Sequence, residues 1–375
     1  MKKTFSLLLA AAAMLAACSR QEQPAAVPQE FGTIEFSIIP QEGPVTRAVT
    51  SYTEAQAHET RINSVQVLVF GDDGRINFHK DLGTRLSGSL STTSGTKTVY
   101  AVVNGPDLSA VATLSELESS AVDLSANGTG SSGGFVLTGK ATCTVSGTDV
   151  DCAVTVSRLV SRVVLKSVVN GLPSSYGELR VERVYLSNVV GNQNLAGSAA
   201  PTTWYNREGR KDESPLVESH IIDGSTYRAS CEDLTYRSVG QQVAVGGTLE
   251  PSVPYLLYSF PNAATAAPSG FSAGFTPQRS VLVVAATVKG ETYYYPVVLD
   301  ASTLERNTSY TVGLTVTSLG SKDPNEPVDK GSAAVTVTVD GVAVAAYPVV
   351  TAAAVDRMTF GRAFSRLGGR LLAMG

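Results

Sequence analysis

The chain has 375 residues, of which only 17% are charged, and it carries a formal net charge of −4 at pH 7. No stretch ahead of the C-terminal end holds the basic surplus that nucleic-acid-binding domains usually show, so nucleic acid is not an expected partner. Glycine is abundant, with 34 residues, and Ser, Thr and Val recur throughout. This composition favours many short strands and turns over long helices.

The N-terminal residues have the pattern of an export signal. Lys2 and Lys3 precede an apolar run from Phe5 to Ala17, which is too short to span a bilayer and typical of a signal peptide. Small residues directly before Cys18 resemble the lipobox of bacterial lipoproteins, in which the cysteine is lipidated and becomes the mature N-terminus. We therefore predict a signal peptide over residues 1–18 and a lipid anchor at Cys18. An ordinary secretory signal is the alternative.

Alternating apolar and polar residues predict strands along most of the chain. Two stretches are the clearest, one from Phe31 to Ile39 and one from Ser332 to Val339. Both repeat the same spacing of apolar residues on one face, with Ile34, Phe36 and Ile38 in the first and Val335, Val337 and Val339 in the second. One or two short helices are expected between residues 108 and 124, and residues 191–249 are predicted to be long loops. Many short strands separated by turns indicate β-sandwiches.

Cys143 and Cys152 lie on either side of a predicted hairpin. If Gly147 and Thr148 form a two-residue type II′ turn, the cysteines face each other at a non-hydrogen-bonded position, near disulfide distance. Export implies an oxidising compartment, so we predict this disulfide. Two free thiols on neighbouring strands are the alternative. Cys231 has no evident partner and is expected to be a small buried residue.

No group of residues predicts catalysis. His58, His79 and His220 are scattered, with no carboxylate or cysteine at ligand spacing, so zinc is not expected. Oxygen ligands between Asp323 and Asp329 have a spacing that could suit Ca²⁺, but the prolines there favour a solvated loop. We expect no enzyme activity, no cofactor and no metal.

Several segments, in their order along the chain, resemble the fimbrillins, the subunits of type V pili. They include the lipobox and the stretches KTVYAVVNGP from Lys97, SRLVSRVVLKS from Ser157, PYLLYSFPN from Pro254, VVAATVKGETYYYPVVLD from Val283 and LERNTSYTVGLTVTSLGSKDPNEP from Leu304. The resemblance covers most of the chain from Phe31 to Val339. It implies an all-β fold of two transthyretin-like Greek-key β-sandwich domains in tandem, with short helices in loops.

The resemblance also implies a polymerisation cycle. Fimbrillins are exported to the outer membrane as lipoproteins, and an arginine-specific protease cuts them after an arginine in the loop that follows the first strand. Release of that strand leaves a groove, and a strand from the next subunit fills it by donor-strand exchange. By resemblance, this chain is a structural, non-enzymatic subunit of a surface fimbria that supports adhesion and virulence. Its expected partners are other pilus subunits, the protease and the outer membrane.

Residues of this chain fit the cycle one by one. Cys18 fits the lipidated cysteine, and Ile34, Phe36 and Ile38 lie in the removable strand. Arg47, directly before Ala48, fits the cleavage site, with Arg61 as a second candidate and an ordinary loop arginine as the alternative. The donor strand candidate contains Val335, Val337 and Val339. The implied segments are a signal peptide (1–18), a tether and removable strand (19–47), two sandwich domains (48–160 and 161–345) and an atypical tail (346–375).

The tail departs from the fimbrillin pattern. Arg362, Arg366 and Arg370 recur at helical spacing, which suits a short amphipathic helix on a membrane or a partner, while Gly368-Gly369 weakens such a helix and leaves a disordered or aberrant tail as the alternative. The donor role therefore stays open, as does the choice between a stalk, tip or anchor subunit. The alternative function is a non-polymerising surface lipoprotein or tip adhesin that binds a glycan or protein ligand.

Overall fold

The structure is a computed structural model that describes residues 30–41, 56–206, 231–264, 279–299, 304–322, 324, 333–339 and 342–348, the last two segments by their backbone alone. The predicted all-β class is confirmed, because strands dominate the described residues. The first half contains strands β1 (Phe31–Pro40), β2 (Val65–Phe70), β3 (Ile76–Asp81), β4 (Ser87–Thr93), β5 (Gly95–Val103), β6 (Ala121–Asp123), β7 (Leu137–Val145) and β8 (Val150–Arg158).

The second half is also built mainly of strands. They are β9 (Ser161–Asn170), β10 (Leu179–Ser187), β11 (Val189–Val190), β12 (Asn192–Asn194), β13 (Trp204–Tyr205), β14 (Tyr236–Val243), β15 (Thr248–Leu249), β16 (Tyr255–Ser259), β17 (Val281–Val288), β18 (Glu291–Val298), β19 (Ser309–Val316), β20 (Ala333–Val339) and β21 (Val342–Pro348). The described helices are short: α1 (Ala57–Thr60), α2 (Leu114–Ser119), α3 (Glu232–Thr235) and a 3₁₀ turn at Leu124–Ala126.

Helix α2 begins where the sequence provides a cap. The Thr113 side chain accepts a hydrogen bond from the Glu116 backbone N–H, and the Glu116 carboxylate accepts one from the Thr113 backbone N–H. This reciprocal capping satisfies donors that the first turn of any helix leaves unpaired. The interval 108–124, predicted to hold one or two short helices, contains α2 and then the short strand β6.

The first half forms one seven-stranded sheet in the order β3-β2-β5-β7-β8-β1-β4. Strand β1 lies inside this sheet, antiparallel to β4 and parallel to β8. The first strand of the chain therefore lies between β4 and β8, and β8 is the last strand of the first half. One face of the sheet buries a core that includes Ile34, Phe36, Ile38, Val67, Val99 and Val154.

The second half has two larger sheets. One has the order β14-β10-β17-β18, and the other has the order β15-β9-β19-β20-β21, with β16 also paired to β9. A second, larger core lies between them and extends into the first half, where it takes up Leu68 and Tyr100 from the opposite face of the first sheet. Strand β6 pairs with β12 across the same junction. The predicted domain boundary after residue 160 thus runs through a shared apolar core.

The prediction of long loops over residues 191–249 was wrong for part of that range. Strand β14 occupies Tyr236–Val243, at the edge of its sheet, and pairs with β10. Its sequence, YRSVGQQV, contains few apolar residues, and most of its positions are half-buried or exposed. An edge strand of this kind needs little apolar alternation, because its pairing is carried by backbone hydrogen bonds. Residues 207–230 lie outside the described chain.

Candidate functional site

The predicted removable strand is an internal strand with a buried apolar face. Ile34 is fully buried, and Phe36 and Ile38 are only 3% and 4% exposed. Burying an aliphatic or aromatic side chain of this size stabilises a fold by roughly 1.5–3 kcal/mol, so the three together contribute on the order of 6 kcal/mol. Without β1, its neighbours β4 and β8 would face each other across a groove with unpaired backbone groups on both sides.

Phe36 marks the centre of this groove. In the antiparallel pairing it lies opposite Gly88 of β4, and in the parallel pairing it lies beside Cys152 of β8. A Cβ atom added at Gly88 would lie 2.9 Å from the Cζ atom of the Phe36 ring. The phenyl ring therefore occupies space that the missing glycine side chain leaves free.

One arginine contacts both ends of the segment that contains Arg47. The Nη1 atom of Arg158 donates to the carbonyl oxygen of Gln41, at 3.4 Å, on the side of β1. Its Nε and Nη2 atoms donate to the carbonyl oxygen of Glu59, at 3.0 and 2.8 Å, in helix α1. Gln41 is also fixed by its N–H, which donates to the Val156 carbonyl at 2.7 Å. Residues 42–55 therefore connect two points that are both held at the end of β8.

Helix α1 is anchored by a buried carboxylate. Glu59 is 5% exposed, and its Oε2 atom lies 3.1 Å from the Nη1 atom of Arg162 on β9. The Tyr258 hydroxyl donates to Oε1 at 2.9 Å, and the Gln56 backbone N–H donates to Oε2 at 2.8 Å. Burial and the Glu59 charge raise the pKa of Tyr258, so its hydroxyl stays protonated and acts as this donor. The chain that follows residues 42–55 is thereby fixed to the second half.

This anchor was missed by sequence reasoning. Glu59 and Arg162 are far apart in the chain, and neither belongs to a motif with a recognisable spacing. Their encounter depends on the pairing of β9 with β16, which brings Arg162 and Tyr258 together. Gly88 was missed for a similar reason, since a glycine in a polar strand shows nothing about the ring that packs on it.

Cys143 and Cys152 are brought together as predicted, but as two thiols. The ladder between β7 and β8 covers only Leu137 with Arg158 and Thr138 with Ser157; beyond it, β7 runs beside β5 and β8 beside β1, and the two cysteines pack in the same core. Gly147, with a φ of 76°, lies in the bend between β7 and β8, next to which the two strands are not paired. Burial and the neighbouring Cys143 thiol, which hydrogen-bonds to it, raise the pKa of Cys152 to about 12. Both cysteines are free in the structure, and the disulfide stays a prediction.

The other predicted site residues lie partly outside the described chain. Cys18, Arg47 and Ala48 are among the residues that the structure does not describe. Arg61, the second cleavage candidate, is half-buried and donates to the carbonyl oxygens of Gly130 and Gly133 at 2.9 and 2.6 Å. The three valines of the donor candidate lie on β20, whose backbone pairs with β19 and β21: they are Val335, Val337 and Val339.

The aromatic residues that a glycan-binding surface would need are mostly in the core. Trp204 and Tyr205 are only 7% and 8% exposed, and Tyr295 is 1% exposed. Tyr293 is half-buried beneath the Lys322 ammonium group, which lies 3.9 Å from the ring centroid. In the described part of the chain, no cluster of His, Cys, Asp and Glu could hold a metal ion, and no helix is long and apolar enough to cross a membrane.

Comparison with known proteins relates the site to a family. Residues 33–151, which span the first sheet from β1 to the start of β8, match the family model of the major fimbrial subunit protein, FimA. The search of curated proteins finds no match.

Solved structures share the fold over most of the chain. A candidate cell adhesion protein of Bacteroides eggerthii aligns with a TM-score of 0.60 at 18% identity, covering 84% of this chain and 96% of that one. A fimbrilin of Porphyromonas gingivalis aligns with a TM-score of 0.56 at 14% identity, covering 85% and 98%. A candidate cell adhesion protein of Parabacteroides distasonis aligns with a TM-score of 0.55 at 16% identity, covering 83% and 96%.

The predicted resemblance to the fimbrillins is therefore confirmed, through a family match over the sheet that contains β1 and through a fold shared with a fimbrilin structure.

Proposed function

We propose that this chain is a structural subunit of a bacterial surface fimbria, exported as a lipoprotein through Cys18, cleaved after Arg47 and polymerised by exchange of β1 for a strand of another subunit. In this scheme the fimbria supports adhesion, and the chain has no enzymatic role. The family match and the shared fold support a fimbrial or adhesive role at the cell surface.

The observation that carries the proposal is the position of β1. It is an internal strand with a buried apolar face, and residues 42–55 alone connect it to the elements that follow it in the chain. A cut after Arg47 would leave β1 held only by non-covalent contacts. A strand with the same alternation of apolar residues could then restore both the buried face and the backbone pairing, which is β-augmentation.

The contacts around this segment suit such a cut. Glu59 and Arg162 fix the chain downstream of it, so cleavage would free the β1 side without releasing α1. Arg158 would lose its bond to Gln41 with the departing strand and keep its two bonds to the Glu59 carbonyl. The groove would therefore open in a domain whose other contacts remain in place.

The test compares two conservative substitutions, Arg47→Lys and Arg61→Lys, since an arginine-specific protease does not cut after lysine. Surface fimbriae from cells that express each variant are purified, and the N-terminus of the assembled subunit is sequenced. We expect Ala48 as the first residue in the unmutated protein and in Arg61→Lys, and uncleaved, unassembled subunits for Arg47→Lys. Assembly of Arg47→Lys at the normal level would contradict the proposal. A lipidated Cys18 in every assembled molecule would point instead to an anchor or a non-polymerising lipoprotein.

A further inference from the structure

We infer that the groove beneath β1 selects a strand with an aromatic residue at its centre, and that its occupant in the fibre is therefore a strand of a different subunit and not residues 333–339 of a second copy. This inference rests on the proposed strand exchange and names the partner that the groove fits. The required pattern is a small residue, a large aliphatic, an aromatic and a second large aliphatic at alternate positions, as in Gly32, Ile34, Phe36 and Ile38.

The central position is bordered by small residues on both sides. The two residues beside Phe36 on its own face are both small, Gly88 on β4 and Cys152 on β8. Ile34, by contrast, has Leu90 and Val150 in the same two places. The added Cβ at Gly88 would also lie 3.3 Å from the Cε2 atom of the ring, so the ring packs directly against the strand backbone. A side chain smaller than phenylalanine would leave a void there.

The position of Gly32 has the opposite requirement, because it has no room for a side chain. A Cβ atom added at Gly32 would lie 2.7 Å from the Cγ1 atom of Val145 and 2.7 Å from the Thr148 carbonyl oxygen. Contacts this short force the neighbouring backbone to move. An incoming strand therefore needs glycine at this point, two residues before its first large aliphatic residue.

The chain's own C-terminal strands meet this pattern poorly. Residues 332–341 have the length of β1 and place Ala333, Val335, Val337 and Val339 at the four positions. In this alignment, the Ala333 methyl group takes the position of Gly32, where only glycine fits. Val337 takes the position of Phe36. Residues 342–351 place Tyr347 at the centre but Ala345 where Ile34 belongs. The tyrosine would also bring a hydroxyl group into an apolar core, where it needs a hydrogen-bond partner.

The test uses the full chain, cut in vitro after Arg47, and fluorescent ten-residue peptides in excess. The peptides are the β1 sequence (residues 31–40), the same peptide with Phe36→Val, residues 332–341 and residues 342–351. We expect the β1 peptide to exchange into the groove. The other three should bind at least about tenfold more weakly, since a loss of 1.4 kcal/mol already corresponds to tenfold.

A pair of compensating substitutions at positions 36 and 88 provides a second test, which does not depend on peptide binding. In the uncut chain, Phe36→Val and Gly88→Val should each lower the midpoint of urea unfolding. The double variant should be more stable than the sum of the two effects predicts, because the valine at position 88 fills the void at position 36.

The outcomes separate the two proposals. If the β1 peptide enters and the Phe36→Val peptide or either C-terminal peptide binds equally well, the selection of an aromatic residue is wrong while strand exchange stands. If no peptide enters, including that of β1, the groove accepts no second strand and the proposed function fails with the inference. If the effects of Phe36→Val and Gly88→Val on the urea midpoint were additive, the inference that the Phe36 ring fills space beside Gly88 would also be wrong.

Discussion

At the scale of single residues, the Glu59 carboxylate is the contact that fixes the chain behind the candidate cleavage segment. Its charge is buried and shared between the Arg162 guanidinium and the Tyr258 hydroxyl. Removing one partner of a buried ion pair leaves the other charge uncompensated, which typically costs 3–5 kcal/mol.

We therefore expect Glu59→Gln to lower the free energy of unfolding by about 3 kcal/mol, measured by urea denaturation. Glu118→Gln is the matched control, since Glu118 pairs with Lys140 nearer the surface, where the two side chains are 30% and 55% exposed. That substitution should cost less than about 1 kcal/mol. Equal effects of the two substitutions would show that Glu59 contributes no more than a surface charge.

His58, next to this carboxylate, makes the stability depend on pH. Its Nε2 atom lies 2.9 Å from the Tyr258 hydroxyl oxygen. Since that hydroxyl donates to Glu59, its oxygen accepts a hydrogen bond from the imidazole N–H. Burial lowers the pKa of His58 below its ordinary value; the charges of Glu59 and Asp233 partly oppose this shift, and those of Arg237 and Arg61 add to it.

A lowered pKa in the folded state means that the unfolded chain binds the proton more readily. The contribution of His58 is therefore fully present above its ordinary pKa of about 6.5 and is lost as the pH falls towards the lower folded value. Between pH 7.5 and pH 5.5, we expect urea unfolding to show a larger loss of stability in the unmutated chain than in His58→Gln. The control His79→Gln, on β3, should keep the full loss. Identical pH profiles for all three proteins would contradict this role.

At the scale of elements, β7 and β8 bring the two thiols of the predicted disulfide into contact. Only the thiolate attacks another sulfur, and a pKa of about 12 leaves little Cys152 thiolate near neutral pH. Under an oxidising glutathione buffer, we expect a Cys143–Cys152 bond that forms slowly at pH 7 and about tenfold faster for each added pH unit. Peptide mapping without reduction measures it.

Two controls test whether the bond joins Cys143 to Cys152. Cys143→Ser should leave no intramolecular bond, and Cys231, which is fully buried in the other core, should stay a thiol in the folded protein. A Cys231 bond to Cys143 or Cys152 in the folded protein would show that these two thiols do not meet as described.

Prediction from sequence succeeded where an element carries its own pattern. The alternation of Ile34, Phe36 and Ile38 predicted β1 and its buried face. It failed where long-range pairing decides the structure. The polar strand β14 forms because β10 offers it a sheet edge, and the anchor at Glu59 forms because β9 and β16 bring its partners together. Neither pairing leaves a local trace in the sequence.

At the scale of the whole molecule, the two halves are joined by more than a linker. The larger core includes Leu68 and Tyr100 from the first half together with Val163 and Trp204 from the second. The Tyr100 hydroxyl donates to the Leu195 carbonyl at 3.1 Å, and Arg306 donates to the Ser157 carbonyl at 2.7 Å. An interface with a continuous apolar core resists independent motion of the parts it joins.

This shared core predicts that the halves unfold together. Trp204, the single tryptophan, belongs to the shared core, whereas Val67 belongs to the separate core beneath β1. Val67→Ala should cost about 2 kcal/mol in lost burial and in the cavity left behind. If unfolding is one cooperative transition, the urea midpoint reported by Trp204 fluorescence will fall in Val67→Ala, although the substituted side chain lies in the other core.

Two comparisons make this measurement decisive. Leu68→Ala, one residue further along β2, removes a side chain from the shared core itself and should lower the same midpoint by a similar or larger amount. Ala153→Ser, on the exposed face of β8, should leave it unchanged. If Val67→Ala shifted the circular dichroism midpoint and left the Trp204 midpoint in place, the halves would unfold separately. In that case, removal of β1 would destabilise only the first half. If the molecule unfolds as one cooperative unit, an empty groove lowers the stability of both halves.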